Sequence, residues 1–284
     1  MDESGFDLKR ANVVIIGLGL MGGSLALSLR KKCRQLGALD THTPTLEIAR
    51  QRGIVHLADR DPGEILAKAD LVILACPVHA IIEWVERLPD YIQHPCIVLD
   101  IGSTKRTIIE AFKTLPPNFD PIGGHPICGK ERLSLRNAEN NLYQGAPFIL
   151  TPLVRTTSIA REASLQLMDA IGAQPFWLNA EDHDRFLAYT SHLPYLLSAA
   201  LALVPPDEAK PFVGPGFRST SRLAGTPLSM ILDVLLSNQD NILPAVHQLQ
   251  EQLSAIESAL QHNKPEQLKF ILESAETQYQ FLTE

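Results

Sequence analysis

Cysteine is scarce and poorly spaced for anything but burial. The four thiols, Cys33, Cys76, Cys96 and Cys128, form no CxxC pair and match no zinc-binding spacing. A structural zinc site and a disulfide framework are therefore not expected, and no metal is assigned. Reduced thiols of this kind suit a reducing, cytoplasmic compartment. Positive charge is also in deficit. Lys plus Arg number 25 against 32 Asp plus Glu, leaving a net charge of -7. Such a chain offers no electrostatic footprint for nucleic acid or for an anionic membrane. An anionic substrate would need its own local cluster of cations. Long apolar runs are missing too. Leu71–Cys76 and Leu193–Val204 are too short or too interrupted to span a bilayer. The first ten residues, MDESGFDLKR, are acidic and polar, unlike a signal peptide.

What is present is a repeated alternation. Short apolar runs at Asn12–Ile16, Gln35–Asp40, Leu71–Cys76, Cys96–Asp100, Phe148–Thr151 and Gln174–Leu178 read as strands buried on both faces. Helical patterns fall between them at Gly22–Lys32, Pro44–Arg52, Val78–Arg87, Lys105–Thr114 and Thr157–Ile171. The alternation predicts an α/β class fold with a doubly wound Rossmann sheet over residues 10–179. Beyond about Asp182 the strand signals stop, and residues 180–284 read as an all-helical domain broken by prolines. Within it, Ile242, Val246, Leu249, Leu253, Ile256 and Leu260 form a helix–helix stripe. That stripe suits an intrachain core face or a dimer interface equally well.

The first strand runs directly into Gly17-Leu18-Gly19-Leu20-Met21-Gly22 and then a helix. A GxGxxG alone is a weak signal, but strand before and helix after is the context a dinucleotide cradle requires. Gly17 permits the turn, Gly19 lets a pyrophosphate approach the backbone, and Gly22 lets helix and strand pack. Asp40, at the end of the second strand, is placed to accept from both ribose hydroxyls and to repel a 2′-phosphate. This favours NAD over NADP. Cys76-Pro77-Val78 follows the Leu71–Cys76 strand and would line the cofactor crevice. His79 is expected to face solvent.

Three polar segments stand where apolar residues would be expected. Asp100-Ile101-Gly102-Ser103-Thr104-Lys105 follows a strand, and Gly123–Glu131 reads as a glycine-flanked loop bearing His125. The third is split between Ser191–Pro194, with His192 on a helix entry, and Gly216–Arg222. A neutral histidine suits proton handling near pH 7 during hydride transfer. The loop favours His125 in that role, whereas His192 reads equally as a core residue. Arg218 and Arg222, four apart, would share a helical face able to clamp carboxylates, or would form a solvated face.

In the order and spacing of GLGLMGGSLA, DIGSTK, GGHPICGKE, EDHDRFLAYTSHLP and GFRSTSRLAGTP, the chain resembles the prephenate and arogenate dehydrogenases over nearly its whole length. The resemblance implies a Rossmann domain, a helical domain like that of 6-phosphogluconate dehydrogenase, and a homodimer built through the helices. It implies NAD-dependent oxidative decarboxylation of prephenate or arogenate in tyrosine biosynthesis. It makes His125 the catalytic histidine that polarises the ring hydroxyl, with Ser103 beside it. His192 then positions the substrate, and Arg222, with Arg218 as partner, binds a carboxylate. Two positions depart from the family pattern: Lys130, where threonine is common, and Ser219, where aspartate is common. A lysine beside the substrate side chain would favour a pyruvyl carboxylate over an ammonium group, hence prephenate over arogenate. No regulatory domain or fused mutase is expected after the last helices. A β-hydroxyacid dehydrogenase and a non-catalytic NAD-binding regulator are the rival readings. The first lacks its expected lysine–asparagine arrangement, and the second lacks a basic DNA-binding segment.

Overall fold

Apolar residues recur with two periods along the chain, and each period builds one kind of element. The computed structural model describes residues 5–130 and 134–283. Its first part comprises β1 (Asn12–Ile16), α1 (Leu20–Leu29), β2 (Gln35–Leu39), α2 (Thr43–Gln51), β3 (Leu57–Asp59), α3 (Gly63–Leu66) and β4 (Leu71–Leu74). There follow α4 (Val78–Tyr91), β5 (Cys96–Asp100), α5 (Arg106–Phe112), β6 (Phe119–Pro126), β7 (Pro147–Pro152), α6 (Ser158–Ile171) and β8 (Gln174–Trp177). The eight strands form one sheet in the order β3-β2-β1-β4-β5-β6-β7-β8, and only β6 and β7 pair antiparallel.

Side chains of β1 alternate between the two faces. Val13 and Ile15 join a core with Leu25, Leu29 and Leu167, while Val14 and Ile16 join another with Ile81, Val85 and Phe112. Helices therefore cover both faces, as a buried parallel sheet demands. The strand order reverses at β1, between β2 and β4, and the carboxyl ends of β1 and β4 open the ligand crevice there.

The structure adds two strands that apolar patterning did not mark. β3 is three residues long with an exposed Leu57. β6 is the more important, because it converts the segment read as a glycine-flanked loop into a strand carrying His125. Its glycines are needed for closeness rather than for a turn. A Cβ on Gly124 would lie 2.6 Å from the Asp100 carbonyl oxygen and 2.9 Å from the Phe148 ring.

The second part is helical: α7 (Ala180–Leu187), a π turn (Ala188–His192), α8 (Leu193–Ala202), α9 (Pro215–Thr220), α10 (Leu228–Ser237), α11 (Gln239–Gln261) and α12 (Pro265–Thr283). It docks on the carboxyl-end side of the sheet. α7 packs on α5 and α10 on α4. The Thr104 hydroxyl meets that of Ser237 at 2.8 Å, Arg106 pairs with Asp240, and His79 pairs with Asp233. His79 is thus exposed, as expected, and also bridges the two parts. Along α11, Ile242 is buried, but Leu253 and Leu260 of the apolar stripe stay exposed within one chain. No helix among the described residues is long and apolar enough to cross a membrane.

Candidate active site

The glycine turn has the geometry of a phosphate cradle. Gly17 adopts φ 99°, and a Cβ there would lie 2.4 Å from the Ala75 carbonyl oxygen. A Cβ on Gly22 would meet the Gly17 carbonyl oxygen at 1.9 Å. No larger residue fits either position, and the turn is held against the end of β4. Gly19 is the N-cap of α1, a ten-residue helix whose first N–H groups face the crevice end of the sheet. The Asp40 carboxylate accepts from Leu18 N at 2.7 Å and from His42 N at 2.8 Å. Each oxygen keeps a lone pair for a ribose hydroxyl. Leu20 and Met21 open α1, while Cys76 and Pro77 form the β4–α4 connection next to Gly17, and Val78 begins α4. Burial pushes the Cys76 thiol up to about 12, so it is an apolar wall, not a nucleophile. These residues fit NAD, which when bound supplies the hydride acceptor.

Beyond the end of β5, three histidines converge. His125, partly exposed on β6, makes a 2.9 Å contact from Nδ1 to Nε2 of fully buried His183. His183 Nδ1 lies 2.8 Å from Asp184 Oδ1. That carboxylate also accepts from Lys105 N at 2.7 Å and Arg106 N at 2.9 Å, at the start of α5. His192 is buried, with Nδ1 3.2 Å from Asn238 Nδ2, and the same amide donates to the Asp184 carbonyl at 2.7 Å. Burial, then the nearby His183, Lys105 and His192, hold His125 well below the ordinary imidazole value. Burial likewise lowers His183, against the opposing pull of Asp184, and takes His192 down to about 4. For Asp184 burial works against ionisation. Hydrogen bonds from His183, Arg106 N and Lys105 N outweigh it and keep the carboxyl below the usual range. All three rings are therefore neutral near pH 7.

A buried ion pair underlies this cluster. The Lys105 ammonium contacts Asp100 and donates to the Gly124 carbonyl at 2.7 Å, next to His125 in β6. Asp100 also accepts from Gly102 N at 2.7 Å and Gly124 N at 3.2 Å. Burial pushes Asp100 up and Lys105 down, each opposed by the partner's charge.

The π turn explains how His183 and His192 face the same way. They are nine positions apart, which is about 2.5 turns of regular α-helix and would put them on opposite faces. Pro194 has no N–H to give, and the Leu193 N–H reaches back to the Ala188 carbonyl. The wider turn absorbs one residue and brings His192 round to the buried side. His192 is therefore inside a continuous helical path and not at a helix entry.

The remaining expected residues are more dispersed. Ser103 lies half-buried in the β5–α5 loop, but the hydrogen bond His125 makes among the described residues is to His183. Lys130 is exposed and pairs with Glu139 at 2.6 Å; Glu131 lies outside the described residues. Arg218 sits in α9, which ends at Thr220. Arg222 begins a separate 3-10 turn, so the two do not share one continuous helical face. That turn packs against α8, the helix that follows His192. Asp100 and Lys105 bound a polar segment marked in the sequence but carried no assigned role there, and His183, Asp184 and Asn238 were given none either. Two of them were legible: His183 and Asp184 occupy the buried stripe Ala180, His183, Asp184, Leu187 of α7, where apolar residues belong.

A dinucleotide cradle at the switch point of a doubly wound sheet, closed by a helical domain and faced by neutral imidazoles, defines a nicotinamide-dependent dehydrogenase. The family models agree. "Prephenate dehydrogenase, nucleotide-binding domain" matches residues 25–175 and "Prephenate dehydrogenase, dimerization domain" matches residues 179–274. The chain belongs to the prephenate dehydrogenase family. It is 29% identical to the prephenate dehydrogenase of Bacillus subtilis over 270 residues, covering 90% of this chain and 72% of that one. The structure of Aquifex aeolicus prephenate dehydrogenase, in complex with hydroxyphenyl propionate and NAD+, matches with TM-score 0.89 and 26% identity, covering 98% of this chain and 100% of that one. Synechocystis arogenate dehydrogenase matches with TM-score 0.81 and 28% identity, covering 95% and 99%.

Proposed function

We propose that this enzyme oxidises and decarboxylates prephenate to 4-hydroxyphenylpyruvate with NAD, a step toward tyrosine, in the cytoplasm. The observation that carries the reading is a neutral His125 near the carboxyl end of β6, held by His183. His125 Nε2 accepts the hydrogen bond of the ring hydroxyl as hydride leaves the carbinol carbon. The electrons of the ring–carboxylate bond then fill the ring while carbon dioxide departs. The proton ends on the phenol oxygen, so the step releases no net proton. Ser103 lines the same approach, and His192 positions the ring. Arg222, assisted by Arg218, binds a substrate carboxylate. In Arg222→Gln we expect KM for the acid substrate to rise about 10–100-fold with kcat little changed, since bidentate carboxylate recognition is lost. Steady-state kinetics check this, and an unchanged KM removes Arg222 from the role.

Arogenate is the second reading, and one contact removes the argument against it. The Lys130 ammonium is already paired with Glu139 and so does not by itself repel an amino group. Spectrophotometric NADH formation with each acid separately decides. A kcat/KM at least about tenfold higher for prephenate supports the first reading; the reverse order assigns arogenate.

The proposed division into residues 10–179 and 180–284 leaves the helical part with a dimer surface. α12 has no buried residue, and Phe270 and Phe281 are 70% and 75% exposed. Large apolar side chains left exposed on one helix suit an association site. Light scattering is expected to give a particle of about twice the chain mass, as for a closed two-fold pair. Phe270→Glu with Phe281→Glu is expected to yield monomers. A wild-type monomer would overturn the assignment.

A further inference from the structure

We propose that His183 and Asp184 are positioning residues that fix the tautomer of His125, leaving its Nε2 as a bare acceptor facing the ring hydroxyl. The proposal rests on the reading of His125 given above.

The polarity follows link by link from the contacts. Both oxygens of the Asp184 carboxylate receive backbone N–H groups, from Lys105 at 2.7 Å and Arg106 at 2.9 Å. A carboxylate so placed only accepts. The 2.8 Å contact with His183 therefore requires the proton on His183 Nδ1. A fully buried ring stays neutral, so His183 Nε2 carries a lone pair. The next contact, 2.9 Å to His125 Nδ1, then requires its proton on His125. That leaves His125 Nε2 without one. Reversing the chain would need a protonated Asp184 or a cationic His183. The two backbone N–H groups oppose the first and complete burial opposes the second.

The groups acting on His125 are His183 from α7, Lys105 and His192 from the π turn; Asp184 lies behind His183, and Asp100 is paired with Lys105. His192 has the opposite polarity. Asn238 donates to its Nδ1, so its Nε2 bears the proton. The pocket thus pairs one acceptor imidazole with one donor imidazole. Without His183, the His125 ring would exchange freely between tautomers. The Nε2–H form would donate to the hydroxyl where an acceptor is needed.

Three variants, His183→Leu, His183→Gln and His125→Asn, are compared with the wild-type enzyme. Prephenate and arogenate kinetics are measured together with nitrogen NMR of the histidine rings. The expected wild-type spectrum has His125 protonated at Nδ1 and bare at Nε2. His183→Leu is expected to lose up to about tenfold in kcat, with KM little changed and the His125 tautomers averaged. Glutamine, whose carbonyl can accept from His125, should recover most of that loss. A wild-type His125 protonated at Nε2 overturns the proposal whatever the variants do. So does an unimpaired His183→Leu, or a glutamine variant no better than leucine. An active His125→Asn instead defeats the assignment of His125 itself, while the wild-type ring spectra test the tautomer chain separately.

Discussion

His125→Asn is expected to lower kcat by roughly two to four orders of magnitude, the range that a positioned proton acceptor contributes. The variant separates chemistry from structure. An asparagine amide sits where Nδ1 sits and can still donate to His183 Nε2, so the contact that seats the residue survives. What disappears is the second ring nitrogen, the one assigned above to the ring hydroxyl. The glycine turn and Asp40 are untouched, so KM for NAD should stay close to wild type. Turnover and KM measured for both substrates test this. A variant with wild-type turnover would show that the hydroxyl is polarised by another group.

Lys105→Met is expected to cost roughly 3–5 kcal/mol of folding stability, the usual consequence of removing one partner from a buried ion pair. Both side chains are fully buried. The substitution leaves Asp100 without its cation, and it leaves the Gly124 carbonyl without a donor. Methionine fills much of the lysine stem's volume, so the loss comes from charge and hydrogen bonding more than from a cavity. Urea unfolding of wild type and variant measures it. A difference under about 1 kcal/mol would mean that the pair contributes as little as an exposed one. Because Gly124 precedes His125 in β6, turnover should fall along with stability.

The Rossmann frame was legible because β1, β4 and β5 are continuous apolar blocks and the glycine turn sits between a strand and a helix. β6 was not, and its residues explain why. Phe119–Pro126 holds two glycines and two further prolines, which are turn formers by composition. It is a strand because β5 and β7 on either side leave space for little more than backbone at Gly124. Close approach of neighbours is a tertiary fact that local pattern does not encode. The cradle and His125 could be picked out by residue type and context, whereas His192 read equally as a core residue and took its role only from the family resemblance. The support beneath them, Asp100, Lys105 and Asn238, depends on contacts between segments far apart in the chain. His183 and Asp184 were the avoidable omission, since two polar residues on the inward stripe of an amphipathic helix are a signal in themselves.

The Ala188–His192 turn makes the helix one residue longer than a regular path between the same endpoints would need. The surplus is kept although it forgoes standard backbone bonding. Loss of a single residue there would heal the helix and strengthen it locally, yet it would swing an imidazole out of the pocket. Regularity and chemistry are opposed at this point in the chain, and the fold has settled in favour of chemistry.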